Sequence, residues 1–239
     1  MFSSQGRTQQ QPPLYLPSQP RTLRLSPLPT SINEIRLRQY LNSLECDAEY
    51  QAENILAFSL VPYINWLVAT VTFCQEPSIF AQCRPRSQMP FQLPADLAMP
   101  RESNIIVDCD FYGITPLYSP LKPQKPKFEW VTTLLGSWMQ RLKQNHASVV
   151  AVTGLCGHAF GSWKSPLQSH LMWLRDILPL DFPEFRTLTW GYNSDLQEST
   201  TTASLMDFSR DLLTAVHGAR EDETVLYLLY VYFKMFSNQ

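Results

Sequence analysis

Residues that could take part in chemistry concentrate in one glycine-rich loop, residues 153–163, TGLCGHAFGSW. It holds three of the chain's eight glycines, together with Cys156 and His158. The run Ser148–Val152 before it is β-branched and apolar, so we expect a buried strand that ends in a functional turn. A histidine there can serve in acid–base catalysis or brace the loop by hydrogen bonds. The position of His158, ahead of any candidate nucleophile, favours bracing.

The elements after this loop indicate how it is held. The sequence predicts an amphipathic helix over 167–178, a short strand over 185–190 and a second helix over 204–217. Alternating strands and helices predict a parallel sheet with right-handed crossovers. We therefore expect the loop to lie at one edge of such a sheet.

The strings VTGLCGHAFGSWKS and MWLRDILPLDFPEFRTLTWGYNSDL resemble the opening of the α/β-hydrolase domain in a fungal group of lipases and serine esterases. The resemblance covers roughly residues 148–220. In such hydrolases the loop usually begins His-Gly, and a backbone N–H behind it helps to form the oxyanion hole. Thr153 replaces that histidine here. The resemblance then implies Leu155 N–H as the oxyanion donor, Cys156 as a second candidate, and Gly154, Gly157 and His158 as loop residues.

The catalytic residues that this family would need are not evident. None of the glycines frames a G-x-S-x-G elbow. The elbow strand would fall near 225–231, and the acid and histidine would lie beyond Gln239. We therefore expect a truncated or degenerate lipase or serine-esterase-like protein without turnover, acting through protein contacts. The alternative is an active intracellular lipase or esterase that hydrolyses carboxylic esters with an unrecognised nucleophile.

The sequence pattern in the first third of the chain predicts a ferredoxin-like α+β module that resembles an RNA-recognition motif. Its pattern reads βαββαβ: strands over 22–28, 55–62 and 66–73, a helix opening at Ser31, a short helix from Ser78 and an edge strand over 91–93. RNA-recognition motifs stack bases on aromatic side chains. Arg24, Val68 and Thr70 occupy those positions here, so we expect no nucleic-acid binding.

Composition and segment boundaries complete the predicted organisation. The fold class is α/β: a disordered tail over 1–20, the ferredoxin-like module over 21–112, a proline-rich linker over 113–127 and a partial α/β-hydrolase parallel sheet over 128–239, which opens with a helix over 128–146. The net charge of −2 gives no general attraction to polyanions.

The same inspection covers metals, cofactors, partners and location. The five scattered cysteines form no CxxC pair, and His146, His170 and His217 have no carboxylate at ligand spacing, so we expect no metal and no cofactor. Asp176 and Asp195 are interpreted as helix-flank and turn carboxylates. Without a signal peptide or a membrane-spanning segment, an intracellular protein is expected, with peripheral membrane contact left open and mitochondrial or endoplasmic-reticulum association implied by the resemblance. A protein partner is expected to cover the open edge of the hydrolase sheet.

Overall fold

The computed structural model describes residues 20–45, 53–97, 105–120, 148–154, 156–193 and 205–219. In these ranges the protein is a mixed α/β structure with two sheets. Its elements are β1 (Arg21–Leu28), α1 (Glu34–Asn42), β2 (Ile55–Tyr63), β3 (Trp66–Phe73), a 3₁₀ turn (Ser78–Phe80), β4 (Met89–Phe91), β5 (Ile105–Asp108), β6 (Gly113–Tyr118), β7 (Ser148–Val152), a second 3₁₀ turn (Gly161–Trp163), α2 (Trp173–Asp176), α3 (Leu178–Asp181), β8 (Arg186–Gly191) and α4 (Leu205–Gly218). Among the described helices none is long and apolar enough to cross a bilayer.

The first sheet is antiparallel, in the order β2-β3-β1-β5-β4. Its strands alternate, so that Leu23 and Leu25 of β1 enter an apolar core with Leu37 and Leu41 of α1. Helix α1 begins later than its apolar pattern, because the Asn33 side chain accepts a hydrogen bond from Arg36 N and caps it.

Of the predicted elements of this module, the first three strands and the first helix are present, whereas the second helix is not. The segment from Ser78 makes one 3₁₀ turn and no α-helix. Pro85 follows closely, and a proline disfavours helical backbone at the residue before it. The predicted edge strand is confirmed two residues earlier, as β4 at the end of the sheet.

The second sheet has the order β6-β8-β7, in which β7 and β8 are parallel and β6 is antiparallel to β8. The predicted strand and final helix are confirmed as β8 and α4, each within one residue of its expected bounds. The helix expected over 167–178 is wrong. Ser165 Oγ accepts from the N–H groups of Leu167 and Gln168, a local turn that competes with a helix, and Leu167 is 93% exposed.

The linker prediction for 113–127 is also wrong in its first part. Residues 113–118 form the edge strand β6, and Pro116 lies within it opposite Leu188. Proline fits an edge strand because its missing N–H is not needed by a further neighbour. Outside the described residues lie 121–127 of the predicted linker, 1–19 of the predicted tail, the helix over 128–146 and the strand over 225–231.

The two sheets meet through polar side chains, a contact called here the sheet joint. On the first sheet it consists of Arg24, Thr70 and Asp108, all buried on the face opposite α1. Phe111, Thr115 and Arg175 cover them: Arg24 Nη1 donates to Thr115 Oγ1 at 2.7 Å, and Arg175 Nη1 donates to Thr70 Oγ1 at 3.2 Å. The joint therefore fixes the second sheet against the first.

Candidate functional site

The glycine-rich loop leaves the carboxyl end of β7 and turns sharply at Gly157. Gly157 N–H donates to Gly154 O at 3.0 Å. A Cβ at Gly157 would lie 2.8 Å from Gly154 O and 2.8 Å from Thr153 Cβ, which explains the glycine. Cys156, just before it, is exposed and has a positive φ of 57°.

Strand β8 ties this loop down from the side. Thr189 Oγ1 donates to Ala159 O at 2.7 Å, and Tyr192 Oη donates to Thr153 O at 3.1 Å. A side chain at Gly191 would place its Cβ 2.1 Å from Phe111 O. The backbone of the loop is therefore held closely against its neighbours.

His158 braces the loop through both ring nitrogens. Its Nδ1 accepts from Phe160 N–H at 3.1 Å and from Gly161 N–H at 2.8 Å. Because Nδ1 accepts twice, the proton belongs on Nε2, which donates to Cys109 O at 2.7 Å. These are the contacts of the bracing role that the sequence favoured over acid–base work.

The other predicted site residues of this loop differ in their exposure to solvent. Gly154 is buried, Gly157 is half-buried and Cys156 is exposed, whereas Leu155 lies outside the described residues. Cys156 opens onto a cleft of about 500 Å³ that Tyr192 and Asp110 also line. Ser162, the serine of this loop, bonds the backbone of His158 and not its ring: its Oγ accepts from the His158 N–H at 3.0 Å.

Two acidic groups of this cleft are shifted toward their neutral forms. Burial raises the pKa of Asp110, although Arg86 N–H donates to its carboxylate at 2.7 Å. Burial also raises the pKa of Tyr192, and the nearby Cys156 thiol adds to that shift. The cleft can therefore offer polar hydrogen-bonding groups, one of them a partly buried carboxyl.

A second cleft, of about 330 Å³, lies on the other side of His158. Phe160 and Lys164 line it together with Arg21 from the start of β1. Burial, with a smaller contribution from the positive charge of Arg175, lowers the pKa of Lys164 to about 8. Sequence reasoning missed Lys164, for which a lone lysine just after an apolar loop was the only signal.

The remaining candidates have ordinary structural roles. Asp176 caps α2 by accepting from Met172 N–H at 2.8 Å and pairs with Arg175 at 2.7 Å. His217 is in the last turn of α4. His146 and Asp195 are outside the described ranges, and within those ranges no three histidine, cysteine or carboxylate side chains could hold a metal ion.

The expected base-stacking positions of the first sheet are inaccessible. Arg24, Val68 and Thr70 are each at most 9% exposed. The first and last of them are bonded within the sheet joint. That face therefore packs against the second sheet.

Comparison of the chain with models of protein families, with curated proteins and with solved structures finds no match. Function must therefore be argued from the residues and their geometry.

Proposed function

We propose that this chain carries the opening strands of an α/β-hydrolase domain of the lipase and serine-esterase type, and that it acts through protein contacts without hydrolytic turnover. The order of the second sheet supports the first part. An antiparallel strand β6 lies next to β8, β8 is parallel to β7, and helix α4 follows β8. The glycine-rich loop leaves β7 at the place where hydrolases of this fold carry an oxyanion-hole loop.

The first sheet supports a ferredoxin-like module in front of that domain. Helix α1 connects β1 to β2, and β3 lies between these two strands. The place of a fourth ferredoxin strand, on the other side of β1, is taken by β5, and the strand predicted over 91–93 lies beyond it as β4. In this proposal the module packs against the hydrolase sheet, because the face of its sheet opposite α1 forms the sheet joint.

The observation that carries the lack of turnover is the bonding of His158. A serine or cysteine nucleophile needs a base within hydrogen-bond reach. Both ring nitrogens of His158 are bonded to backbone groups, Nε2 to the Cys109 carbonyl and Nδ1 to two loop amides, although His158 lines the same cleft as Cys156. Ser162 of the same loop bonds the His158 backbone N–H and not the ring.

The edge of the second sheet supports a role in protein contacts. Among the described strands, β7 pairs only with β8, so its other edge meets no strand of that part of the chain. Backbone groups along an edge can accept an added strand from a partner. A protein segment in extended conformation is therefore the proposed partner.

One observation favours the alternative, an active esterase. The cleft of about 500 Å³ lies at the carboxyl end of β7 and exposes Cys156 beside polar groups. In α/β sheets this end of the strands is where ligands bind.

A fluorophosphonate probe separates the two functions. We expect the purified full chain to remain unlabelled under conditions in which an active serine esterase reacts completely. Labelling of a single serine that is absent when the chain is denatured before the probe is added would contradict the proposal and support the esterase. Labelling that also occurs in the previously denatured chain would report only non-specific reactivity, and the chain would then count as inactive.

A further inference from the structure

The cleft of about 330 Å³ beside Lys164 has flat, apolar walls. Pro20 and Pro85 face this space, and behind them the rings of Phe160 and Phe111, which are 1% and 0% exposed, stack with their centroids 4.8 Å apart. The volume is at the lower end of the range for small-molecule sites, which are mostly apolar with a few placed polar groups. A compact, flat ligand fits this description.

The two cations of this cleft differ in whether a carboxylate neutralises them. Arg21 is neutralised by Glu76, to which its Nη1 donates twice at 2.8 Å, and it also donates to Cys109 Sγ at 3.0 Å. Lys164 Nζ has only Pro20 O at 3.4 Å and the Phe160 ring at 5.7 Å. None of the described carboxylates pairs with Lys164, so one cation in the cleft has no counter-charge there.

The backbone amides of the loop are not available to an anion. The N–H groups of Phe160 and Gly161 both donate to His158 Nδ1. A phosphate group is usually bound by several free backbone N–H groups as well as by cations. One lysine without such a cradle favours a single negative charge over a phosphate dianion.

We propose that this cleft binds an aromatic monocarboxylate, with the carboxylate on Lys164 and the ring packed against Pro20 and Pro85. The inference goes beyond the function proposed above and does not depend on it. Lys164 is mostly protonated at neutral pH, because its lowered pKa is still about 8. The other titratable groups around it are Arg175, Arg21, His158 and Cys109, and none of them supplies a fixed negative charge to compete with the ligand.

Calorimetric titration of the full chain with 2-naphthoate, 2-naphthamide and inorganic phosphate tests the charge and the shape separately. We expect naphthoate to bind at least about tenfold more tightly than the neutral amide, and phosphate to bind more weakly than either. In Lys164→Met, which keeps the apolar stem, naphthoate should fall to the affinity of naphthamide, while naphthamide binding is unchanged. Equal naphthoate affinity in wild type and Lys164→Met, or tighter binding of phosphate, would overturn the proposal.

A second measurement needs no variant. Lys164 in the wild-type chain is acylated with a limiting amount of an amine-reactive ester at pH 8, and the modified lysines are located by mass spectrometry. Naphthoate should slow acylation of Lys164 several-fold, whereas naphthamide should protect it less. Absence of selective protection at a naphthoate concentration of about 10 mM, where even a weak site with a Kd near 1 mM is filled, would refute the site.

Discussion

Arg24 and Asp108 form a salt bridge of 2.8 Å, between Nε and Oδ2, inside the sheet joint, with their side chains 11% and 5% exposed. The same guanidinium donates through Nη1 to Tyr112 O at 2.9 Å, and the other carboxylate oxygen of Asp108 accepts from Phe111 N–H at 2.8 Å. The pair therefore links the last strand of the first sheet to the chain that enters the second.

Removing one partner of this pair should be costly. Arg24→Met leaves the Asp108 carboxylate buried without its cation, and we expect a loss of about 3–5 kcal/mol in the free energy of unfolding. Urea denaturation measures it. Arg38→Met is the matched control, because the Arg38–Glu53 pair has side chains 44% and 65% exposed and should contribute less than about 1 kcal/mol. Equal losses in the two variants would show that the sheet joint is not dehydrated.

Gly191 should not tolerate a side chain. Gly191→Ala would bring Cβ against the Phe111 carbonyl, which belongs to the backbone and cannot rotate away, so we expect a loss of about 1–3 kcal/mol or more. Gly218→Ala is the control: nothing lies within 4 Å of the place that its Cβ would take, and a helical alanine should stabilise α4 by up to about 1 kcal/mol. Thermal melting of both variants compares them. A Gly191→Ala protein as stable as wild type would contradict the close approach.

Lys164 should make stability depend on alkaline pH. Its folded-state pKa of about 8 is below the ordinary 10.5, so the folded chain holds the proton less tightly than the unfolded chain does. The cost of burying the charged amine is present below pH 8 and disappears as the pH rises from 8 to 10.5. Lys164→Met should therefore be more stable than wild type at pH 7, with a difference that shrinks above pH 8.

The control for this pH series is Arg210→Met, in a surface pair of α4 whose arginine side chain is 76% exposed. Its difference from wild type should stay constant over the same pH range. A Lys164→Met difference that is equally constant would mean that Lys164 titrates normally.

The cysteines should differ in their reactivity toward iodoacetamide at pH 8. Burial raises the pKa of Cys83 to about 12, so its thiolate fraction is on the order of 10⁻⁴ at that pH. Cys74 and Cys156 are exposed and should be alkylated first. Peptide mapping at successive times measures the order in which the cysteines are alkylated. When the experiment is repeated in urea, Cys83 should react like the others. Early alkylation of Cys83 in the native chain would contradict its burial.

The chain should not bind single-stranded RNA in a sequence-dependent way through its first sheet. Arg24, Val68 and Thr70 are buried at the positions where bases would stack, and none of them is aromatic. Fluorescence anisotropy with labelled oligonucleotides at physiological salt should show no sequence preference at micromolar protein. Micromolar binding that varies with sequence would contradict this prediction.

The sequence predicted the strands better than the connections. Strands β1, β2, β3, β7 and β8 follow apolar patterns that local residues determine, and each was expected within two residues of its bounds. The prediction of a helix over 167–178 failed although the apolar spacing is that of a helix. The hydrogen-bonded turn at Ser165 replaces helical backbone at its start. The linker failed because extended proline-rich backbone resembles an edge strand until a partner such as β8 is known.

The site was partly predictable for the same reason. Loop glycines and His158 are recognisable from local sequence, since their hydrogen bonds stay mainly within the loop. The shift of Lys164 could not be predicted. It arises from burial by groups distant in sequence, among them Pro20, whose carbonyl its amine contacts across 144 residues of separation.

The sheet joint also has a consequence for the order of folding. Its hydrogen bonds connect residues far apart in the chain: Arg24 is 91 positions from Thr115, and Thr70 is 105 from Arg175. Contacts that close such long loops form slowly, whereas α1 and the β2–β3 hairpin need only short ones. We expect the first sheet to assemble with its polar face still hydrated and to exclude that water only when residues 159–175 arrive. The last kinetic step of folding is then a dehydration step, and the first step of unfolding is the return of water to Arg24 and Asp108.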